Sequence, residues 1–409
     1  MKWISSLLLL PLAAFALPVQ KGQTFKVQIP GEYIVTGETV TGETVTGETG
    51  KSLLNVKRQL GKNLYLVKAS EKSLAAQTGH PNYAYYGNHM ENVPNDDLYA
   101  DQFHHQMIFT NQAWNTTTGS KEIVVAVTDN EFEMDHDDLK GQWWVNQNEI
   151  PGNGIDDDNN GYVDDVNGWD FMGQDNDMND DTGTHGTHVA GIIAAKANNK
   201  IGVAGIAPNV KVMPLRWYGS ERRWSSAIVA ETYHYAVDNG ANIITTSYNI
   251  DGLADDEAYR DAVRYASANN VLIFNSAGNG SKKNPNRQKV EEIALVCSVK
   301  SKDAKKADKK SSFSNYGTGI DVCAPGDPIL STVRGRYLGE SRYGELRGTS
   351  MAAPAAAAVA ALIWSHNPNF SAEEVKQRLF ESSDNIDKKN FWHKGLLGAG
   401  RINAFKALE

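Results

Sequence analysis

Gly348-Thr-Ser-Met-Ala-Ala-Pro354 lies at the start of a long alanine-rich run, Ala352 to Trp364, whose composition predicts a buried helix. Where a tight loop enters a helix, Ser350 could expose its hydroxyl group as a nucleophile. The helix start would add unpaired N–H groups and a positive dipole for an incoming oxyanion. Most serines at such positions are only N-caps, so further residues are needed to support a catalytic interpretation.

Two earlier segments supply the groups that such a nucleophile needs. Glu122 to Thr128 is a short apolar, β-branched run, which predicts a buried parallel strand with Asp129 at its C-terminal edge. Gly183-Thr-His-Gly-Thr-His188 leads into a predicted helix. A nucleophilic serine needs a histidine that takes its proton and a carboxylate that fixes the tautomer of that histidine.

Further motifs resemble those of the subtilisin-like serine peptidases (subtilases), from about Val93 to the C-terminus. The order Asp, His, Ser is that of the family. Four more segments resemble the family's motifs: Ile201-Gly-Val-Ala-Gly-Ile-Ala-Pro208, Ser276-Ala-Gly-Asn279, Ser312-Phe-Ser-Asn-Tyr-Gly317 and Asp321-Val-Cys-Ala-Pro-Gly326. The resemblance implies an α/β fold with a mostly parallel central sheet flanked by helices. It places the active site at the C-terminal ends of the strands.

The resemblance also implies a secreted serine endopeptidase that forms an acyl-enzyme. Ser350 would be the nucleophile, and His185 would be the general base and then the general acid. Asp129 would orient the imidazole, and Asn279 would donate its side-chain amide to the oxyanion. His188 falls one helical turn after His185 and is predicted to be a packed structural residue.

The sequence departs from the family pattern near these residues. Asn130 and Glu131 follow Asp129, where a small hydroxyl residue and a glycine are usual. The segment 246–250, expected to line the substrate, lacks the usual glycines, and 282–289 departs from the usual pocket wall. These departures leave an alternative open, a catalytically impaired pseudo-peptidase that binds peptides. The complete triad opposes it.

The N-terminus has the pattern of a signal peptide over residues 1–16. Lys2 precedes an apolar run, Leu7 to Leu12, and Ala14-Phe-Ala16 is a typical cleavage site. We therefore expect a protein without a membrane anchor, either extracellular or periplasmic if the source is a Gram-negative bacterium. Residues 91–409 would form the catalytic domain, expected to act on polypeptides as a monomer.

Residues 17–90 resemble a subtilase propeptide, a small α+β segment that assists folding and inhibits the enzyme. Tyr33 to Val35 and Asn63 to Val67 are predicted strands, with a short amphipathic helix, Lys51 to Leu60, between them. Three copies of Val-Thr-Gly-Glu-Thr fill residues 35–49. Their composition predicts an exposed flexible loop or an extended hairpin, without chemistry of its own.

Charge and cysteine content limit the remaining possibilities. The formal net charge of −9 over 409 residues argues against nucleic acid and anionic membranes as partners. Cys297 and Cys323 each lie in a short apolar run that resembles a strand. An exported protein permits a disulfide between them, and two buried free thiols are the alternative.

An acidic insertion between Asp129 and His185 has the spacing of a loop that binds a hard cation. Oxygen ligands alternate, and Gly161 in sixth place allows the sharp turn. The predicted ligands for Ca²⁺ are Asp156, Asp158, Asn160, Asp165 and the backbone carbonyl of Tyr162. The loop lacks the glutamate in twelfth place of an EF-hand, and a solvated acidic loop is the alternative.

The resemblance implies a second calcium site. The segment from Ala197 to Val203 is similar to the family's calcium loop, which uses one asparagine side chain and alternate carbonyl groups. The implied ligands are Asp96, Asp138, Ala197, Asn199, Ile201 and Val203.

Overall fold

The structure is a computed structural model in which the chain divides into two compact units, Met1–Glu91 and Asn92–Glu409. It describes residues 93–179, 183–218, 225–248, 251–301, 306–335 and 341–409, and the backbone of seven strands between Phe25 and Tyr86. The predicted signal peptide, residues 1–16, lies outside the described residues.

The first unit contains two antiparallel sheets, with strand orders β5-β6-β1-β7 and β2-β3-β4. The strands are β1 (Phe25–Thr36), β2 (Thr39–Thr41), β3 (Thr44–Thr46), β4 (Ser52–Leu53), β5 (Val56–Gly61), β6 (Leu64–Lys68) and β7 (His80–Tyr86).

Two predictions for this unit are confirmed and one is wrong. The strand predicted at Tyr33 to Val35 lies within β1, and the one predicted at Asn63 to Val67 overlaps β6, which begins at Leu64. Of the two forms predicted for the repeat, its described residues form the hairpin, because β2 and β3 pair antiparallel. The helix predicted from Lys51 to Leu60 is wrong: its described residues form β4 and β5, and β5 pairs with β6. Pairing with a neighbouring strand here outweighs a short amphipathic pattern, which is ambiguous between helix and strand.

The second unit is built on a parallel sheet of seven strands in the order β14-β13-β12-β11-β8-β10-β9. The mostly parallel sheet expected from the sequence is thus confirmed. The strands, with a separate antiparallel pair β15 and β16, are β8 (Val124–Asp129), β9 (Trp169–Asp170), β10 (Lys211–Arg216), β11 (Ile243–Thr246), β12 (Leu272–Ser276), β13 (Ile293–Lys300), β14 (Val322–Asp327), β15 (Ile329–Thr332) and β16 (Tyr343–Leu346).

Helices cover both faces of this sheet. They are α1 (Phe103–Ile108), α2 (Thr110–Ala113), α3 (His185–Ala194), α4 (Ser226–Asp238), α5 (Glu257–Ala268), α6 (Thr349–His366), α7 (Ala372–Glu381) and α8 (Ala404–Ala407). Within the part of the chain that the structure describes, none of the helices is long and apolar enough to cross a membrane.

Alternate residues of β8 enter two different hydrophobic cores. Val125 and Val127 pack with α3 and α6, whereas Val124 and Ala126 pack with α4 and α5. Because both faces of the strand are buried, its sequence is continuously apolar. The polar Asp129 follows only where the strand ends, at the C-terminal edge of the sheet.

The two cysteines form a disulfide. Cys297 and Cys323 are register partners across β13 and β14, with 4.4 Å between their Cα atoms. Of the two alternatives left open by the sequence, the structure supports the bonded pair.

Candidate active site

Asp129 and His185 form a close pair at the C-terminal edge of the sheet. Asp129 ends β8, and His185 is the first residue of α3. The Nδ1 atom of His185 lies 2.8 Å from Oδ1 and 2.9 Å from Oδ2 of Asp129. With its Nδ1–H donated to the carboxylate, the neutral imidazole carries its lone pair on Nε2, where it can accept a proton.

The environment of His185 favours its charged form. Burial lowers the pKa of His185, but the charge of Asp129 and the hydrogen bond to it act in the opposite direction. They leave that pKa above its ordinary value of 6.5. The histidine side chain is 31% exposed, so a substrate can reach it, while Asp129 is buried. An imidazolium formed during a reaction would therefore be stabilised from the protein side.

Two glycines let α3 begin against the end of β8. A β-carbon added to Gly186 would lie 3.1 Å from Cβ of Asp129 and would clash with the carbonyl oxygen of Glu131. A β-carbon on Gly183 would lie 2.6 Å from Cδ of Glu131. The acid that departs from the family pattern is therefore buried beneath Gly183, and both oxygens of Asp129 still reach His185.

Ser350 is held at the start of α6 by a reciprocal pair of hydrogen bonds. Its Oγ donates to the carbonyl oxygen of Ser247 over 3.0 Å, and Oγ of Ser247 donates to the carbonyl oxygen of Ser350, also over 3.0 Å. Pro354 lies four residues further on and has no N–H, so the helix leaves that carbonyl without its usual donor. The serine is thereby tied to the residue that follows β11.

Asn279 lies beside the first turn of α6. Its Oδ1 accepts hydrogen bonds from the backbone N–H and the hydroxyl group of Thr349, each over 2.9 Å. The Nδ2 group faces Gly348: a β-carbon built there would lie 3.4 Å both from Nδ2 of Asn279 and from the backbone nitrogen of Ser350. Two N–H donors thus lie close together beside the serine.

A family model described as the subtilase family, peptidase S8, matches residues 120–400. The chain belongs to the subtilase family. It is 32% identical over 360 residues to the thermophilic serine proteinase of Bacillus sp. (strain AK1), covering 88% of this chain and 79% of that protein. It is 34% identical over 320 residues to thermitase of Thermoactinomyces vulgaris, covering 78% of this chain and 99% of thermitase.

Solved structures show the same fold. A protease from Pseudoalteromonas arctica PAMC 21717 superimposes with a TM-score of 0.60 at 27% identity, covering 77% of this chain and 98% of that chain. A lanthipeptide protease gives a TM-score of 0.57 at 25% identity, covering 75% and 93%. The protein is therefore a subtilisin-like serine peptidase, a hydrolase.

The second histidine of the subtilase motif is structural, as predicted. His188 is fully buried, and its Nε2 lies 3.1 Å from the carbonyl oxygen of Ile329 and 3.2 Å from that of Gly344. Burial and the neighbouring charge of His185 lower the pKa of His188 to about 3. It stays neutral and ties α3 to β15 and β16.

The acidic insertion brings three carboxylates together. Oxygen atoms of Glu149, Asp158 and Asp165 all lie within 4.8 Å of one another. The amide of Asn146 bridges two of them, with Nδ2 2.9 Å from Asp158 and 3.0 Å from Asp165. Asp158 and Asp165 are among the ligands predicted from the sequence. Glu149 is not among them, because it precedes the alternating pattern of oxygen ligands.

The other predicted ligands of this loop serve its turns. Asp156 accepts the backbone N–H groups of Asn160 and Gly161, over 3.0 Å and 2.8 Å. Asn160 accepts the N–H of Tyr162 over 2.8 Å and donates its amide to Asp165 over 3.0 Å. The N–H of Asn160 is also 3.2 Å from Oδ1 of Asp158, so the structure connects Asn160 to Asp158 and Asp165 and places Asp156 in the turn that leads to Gly161.

Two carboxylates of the second predicted calcium site, Asp96 and Asp138, contact the loop 197–203. Asp138 accepts the amide of Asn199 over 2.6 Å and the N–H of Val203 over 2.8 Å. Asp96 accepts the N–H groups of Asn198 and Asn199. Burial, opposed by these hydrogen bonds but reinforced by the charge of Asp96, raises the pKa of Asp138 to about 6. Two carboxylates in such a setting fit a bound cation, which would offset their mutual repulsion.

Proposed function

We propose that this subtilase is an endopeptidase that cleaves peptide bonds through an acyl-enzyme formed on Ser350. The observation that carries the proposal is the contact of both Asp129 oxygens with Nδ1 of His185, which leaves Nε2 as a base at the edge of the sheet. Asn279 lies shortly after β12, and Ser350, near the start of α6, is hydrogen-bonded to Ser247 directly after β11. Proton acceptor, nucleophile and oxyanion donors are the parts that acyl transfer requires.

In the proposed first step, Oγ of Ser350 leaves the carbonyl of Ser247 and gives its proton to Nε2 of His185 as it attacks the substrate carbonyl. The negative charge on the tetrahedral oxygen would be stabilised by Nδ2 of Asn279 and the backbone N–H of Ser350. His185 then gives the proton to the leaving amine. Water repeats the sequence and frees the serine.

The pseudo-peptidase alternative rests on Asn130-Glu131 and on the altered pocket segments 246–250 and 282–289. The carboxylate of Glu131 lies beneath Gly183, and the contact between Asp129 and His185 is intact. We therefore do not favour a protein that only binds peptides.

We further propose that Ca²⁺ stabilises the folded protein at two places. Glu149, Asp158 and Asp165, with Asn160 beside them, offer the oxygen ligands that this hard cation prefers. Asp96, Asp138 and Asn199, with the carbonyl groups of their loop, offer a second set. The ion would neutralise carboxylates that otherwise repel each other.

We also propose export and processing, with residues 1–16 removed as a signal peptide and 17–90 acting as a folding aid and inhibitor until cleaved. The test compares the purified precursor with its Ser350→Ala variant. We expect the first to hydrolyse casein and to yield a new N-terminus near residue 91, and the variant to do neither. A variant that matures in the absence of other proteases would overturn self-processing, and casein cleavage by it would overturn the role of Ser350.

A further inference from the structure

A cavity of about 310 Å³ opens beside the proposed nucleophile. Its wall includes Ser247, whose carbonyl accepts the hydroxyl of Ser350, and Asn279, the proposed oxyanion donor. When an acyl-enzyme forms, the side chain of the residue that supplies the acyl group (P1) must lie next to the nucleophile. The cavity is therefore in position to receive that side chain.

An arginine forms the base of this cavity. Arg287 is only 1% exposed, and its Nε donates to Oδ1 of Asp251 over 2.9 Å. Its Nη1 donates to the carbonyl oxygen of Ser276. A β-carbon built on Gly278 would lie 3.0 Å from Nη2, so one edge of the guanidinium reaches the cavity wall where a glycine leaves space.

A lysine lies at the mouth of the cavity. The aliphatic stem of Lys282 covers Gly280, where an added β-carbon would lie 3.3 Å from the lysine Cγ. Lys282 is exposed, so its ammonium group can move towards a bound side chain. Lys282 and Asn279 line the same cavity, so the cation is close to the proposed reaction centre.

The charges that line the cavity sum to a net positive value. Burial raises the pKa of Asp251, but hydrogen bonds from Arg287 and the charges of Arg287 and Lys282 outweigh this and leave that pKa below its ordinary value. The wall thus carries one anion, Asp251, whose side chain is 21% exposed, and two cations, Lys282 and Arg287. The other lining residues are serine, asparagine and glycine, and none of the described residues in the wall carries an apolar side chain.

We propose that this cavity selects substrates with a carboxylate side chain, glutamate or aspartate, at P1, with Lys282 and Arg287 as the residues that recognise it. Charge-assisted hydrogen bonds from an ammonium and a guanidinium group are among the strongest contacts that a carboxylate can make. A large apolar side chain would instead displace water from these charged groups and offer them no hydrogen bond in return. The proposal rests on the peptidase function proposed above and specifies its substrate class.

The test uses quenched peptides that differ only at P1, with Glu, Gln, Leu or Lys. We expect kcat/KM for Glu to exceed that for the isosteric Gln by about tenfold or more, the size of one hydrogen bond to a charged group. Lys282→Gln removes one cation at an exposed position and should lower kcat/KM for Glu by about fivefold, with little change for Gln. The matched control is Lys283→Gln, which changes the same charge at the neighbouring exposed residue outside the cavity wall and should leave both values unchanged.

Several results would overturn the proposal. Equal rates for Glu and Gln would show that the charge is not recognised, and fastest cleavage after Leu or Lys would show another pocket chemistry. Equal losses in the two lysine variants would indicate a general surface charge effect. Failure to cleave any of the peptides or casein, together with no labelling of Ser350 by a fluorophosphonate, would instead refute the proposed function itself. Cleavage of casein with random P1 residues would refute the P1 proposal alone.

Discussion

Glutamine in place of Glu149 is expected to stabilise the calcium-free protein and to destabilise the calcium-bound protein. Glu149 is 6% exposed, and its Oε1 accepts the backbone N–H groups of Asp157 and Asp158 over 2.8 Å and 3.2 Å. Within the described residues its Oε2 has no hydrogen-bond partner, although it is buried. A glutamine keeps an oxygen for the two N–H groups and replaces the other oxygen by a neutral NH₂ group, which can donate a hydrogen bond to a neighbouring carboxylate.

The magnitude follows from the distance between the carboxylates. Two charges 4.8 Å apart repel by about 1 kcal/mol at the dielectric constant of water and by about 3.5 kcal/mol at an effective value near 20. Glu149→Gln removes two such pairs. Burial, opposed by hydrogen bonds from Tyr235, Asn146 and Asn160, raises the pKa of Asp165, which partly relieves the repulsion. We therefore expect the free energy of unfolding of the calcium-free protein to rise by about 2 kcal/mol, the value for two pairs at the dielectric constant of water.

In the presence of calcium, Glu149→Gln is expected to lower the free energy of unfolding instead of raising it. An ion present at a hundredfold excess over its dissociation constant stabilises the folded state by about 3 kcal/mol, and a variant with one carboxylate fewer loses much of this. The assay is denaturant unfolding in the inactive Ser350→Ala background, with excess calcium and with EGTA. The matched control is Asp156→Asn, which also removes one carboxylate from the loop but at a residue that serves a turn. The reasoning would be refuted if Glu149→Gln changed the free energy of unfolding in the same direction with calcium and with EGTA. It would also be refuted if calcium stabilised this variant as much as the protein that retains Glu149.

Three further predictions concern the core and the catalytic groups. Replacing Cys297 and Cys323 together by alanine should lower the free energy of unfolding by about 3 kcal/mol, as expected for a loop of 26 residues, and an unchanged urea midpoint would contradict a stabilising disulfide. Asn279→Ala should lower kcat by about 10²–10³-fold, the loss found on removing such a donor from subtilisin, with KM little changed; normal kcat would remove it from the mechanism. Because a raised pKa of His185 keeps it protonated to higher pH, kcat/KM should fall with acidification through a pKa above 6.5. Glu131→Gln removes a carboxylate two residues from Asp129, and the loss of this negative charge should move the fall in kcat/KM to lower pH. If the pKa of this fall in kcat/KM did not change in the variant, Glu131 would have no effect on His185.

Local patterns in the sequence predicted the parts of the site that local structure controls. The continuous apolar run before Asp129 matches β8, because a parallel strand buried on both faces needs no alternation. The alanine-rich run matches α6, whose small side chains allow close packing on the sheet. Glu149 was missed because it lies nine residues before Asp158, and only the turns of the insertion bring it back.

The hydrogen bonds between Ser350 and Ser247 show that a sequence motif does not identify every residue that positions the nucleophile. Pro354 is visible in the sequence, and its missing N–H is known to leave one helix carbonyl without a donor. The sequence does not show which group donates a hydrogen bond to that carbonyl. Ser247 is 103 residues away from Ser350 and follows a different element, the strand β11. At this partly buried position a carbonyl group without a hydrogen-bond partner would weaken the helix start, and the hydroxyl group of Ser247 supplies the missing donor. The carbonyl oxygen of Ser247 also accepts the hydrogen bond from the hydroxyl group of Ser350, so this reciprocal pair holds the resting Ser350 at the C-terminal edge of the sheet.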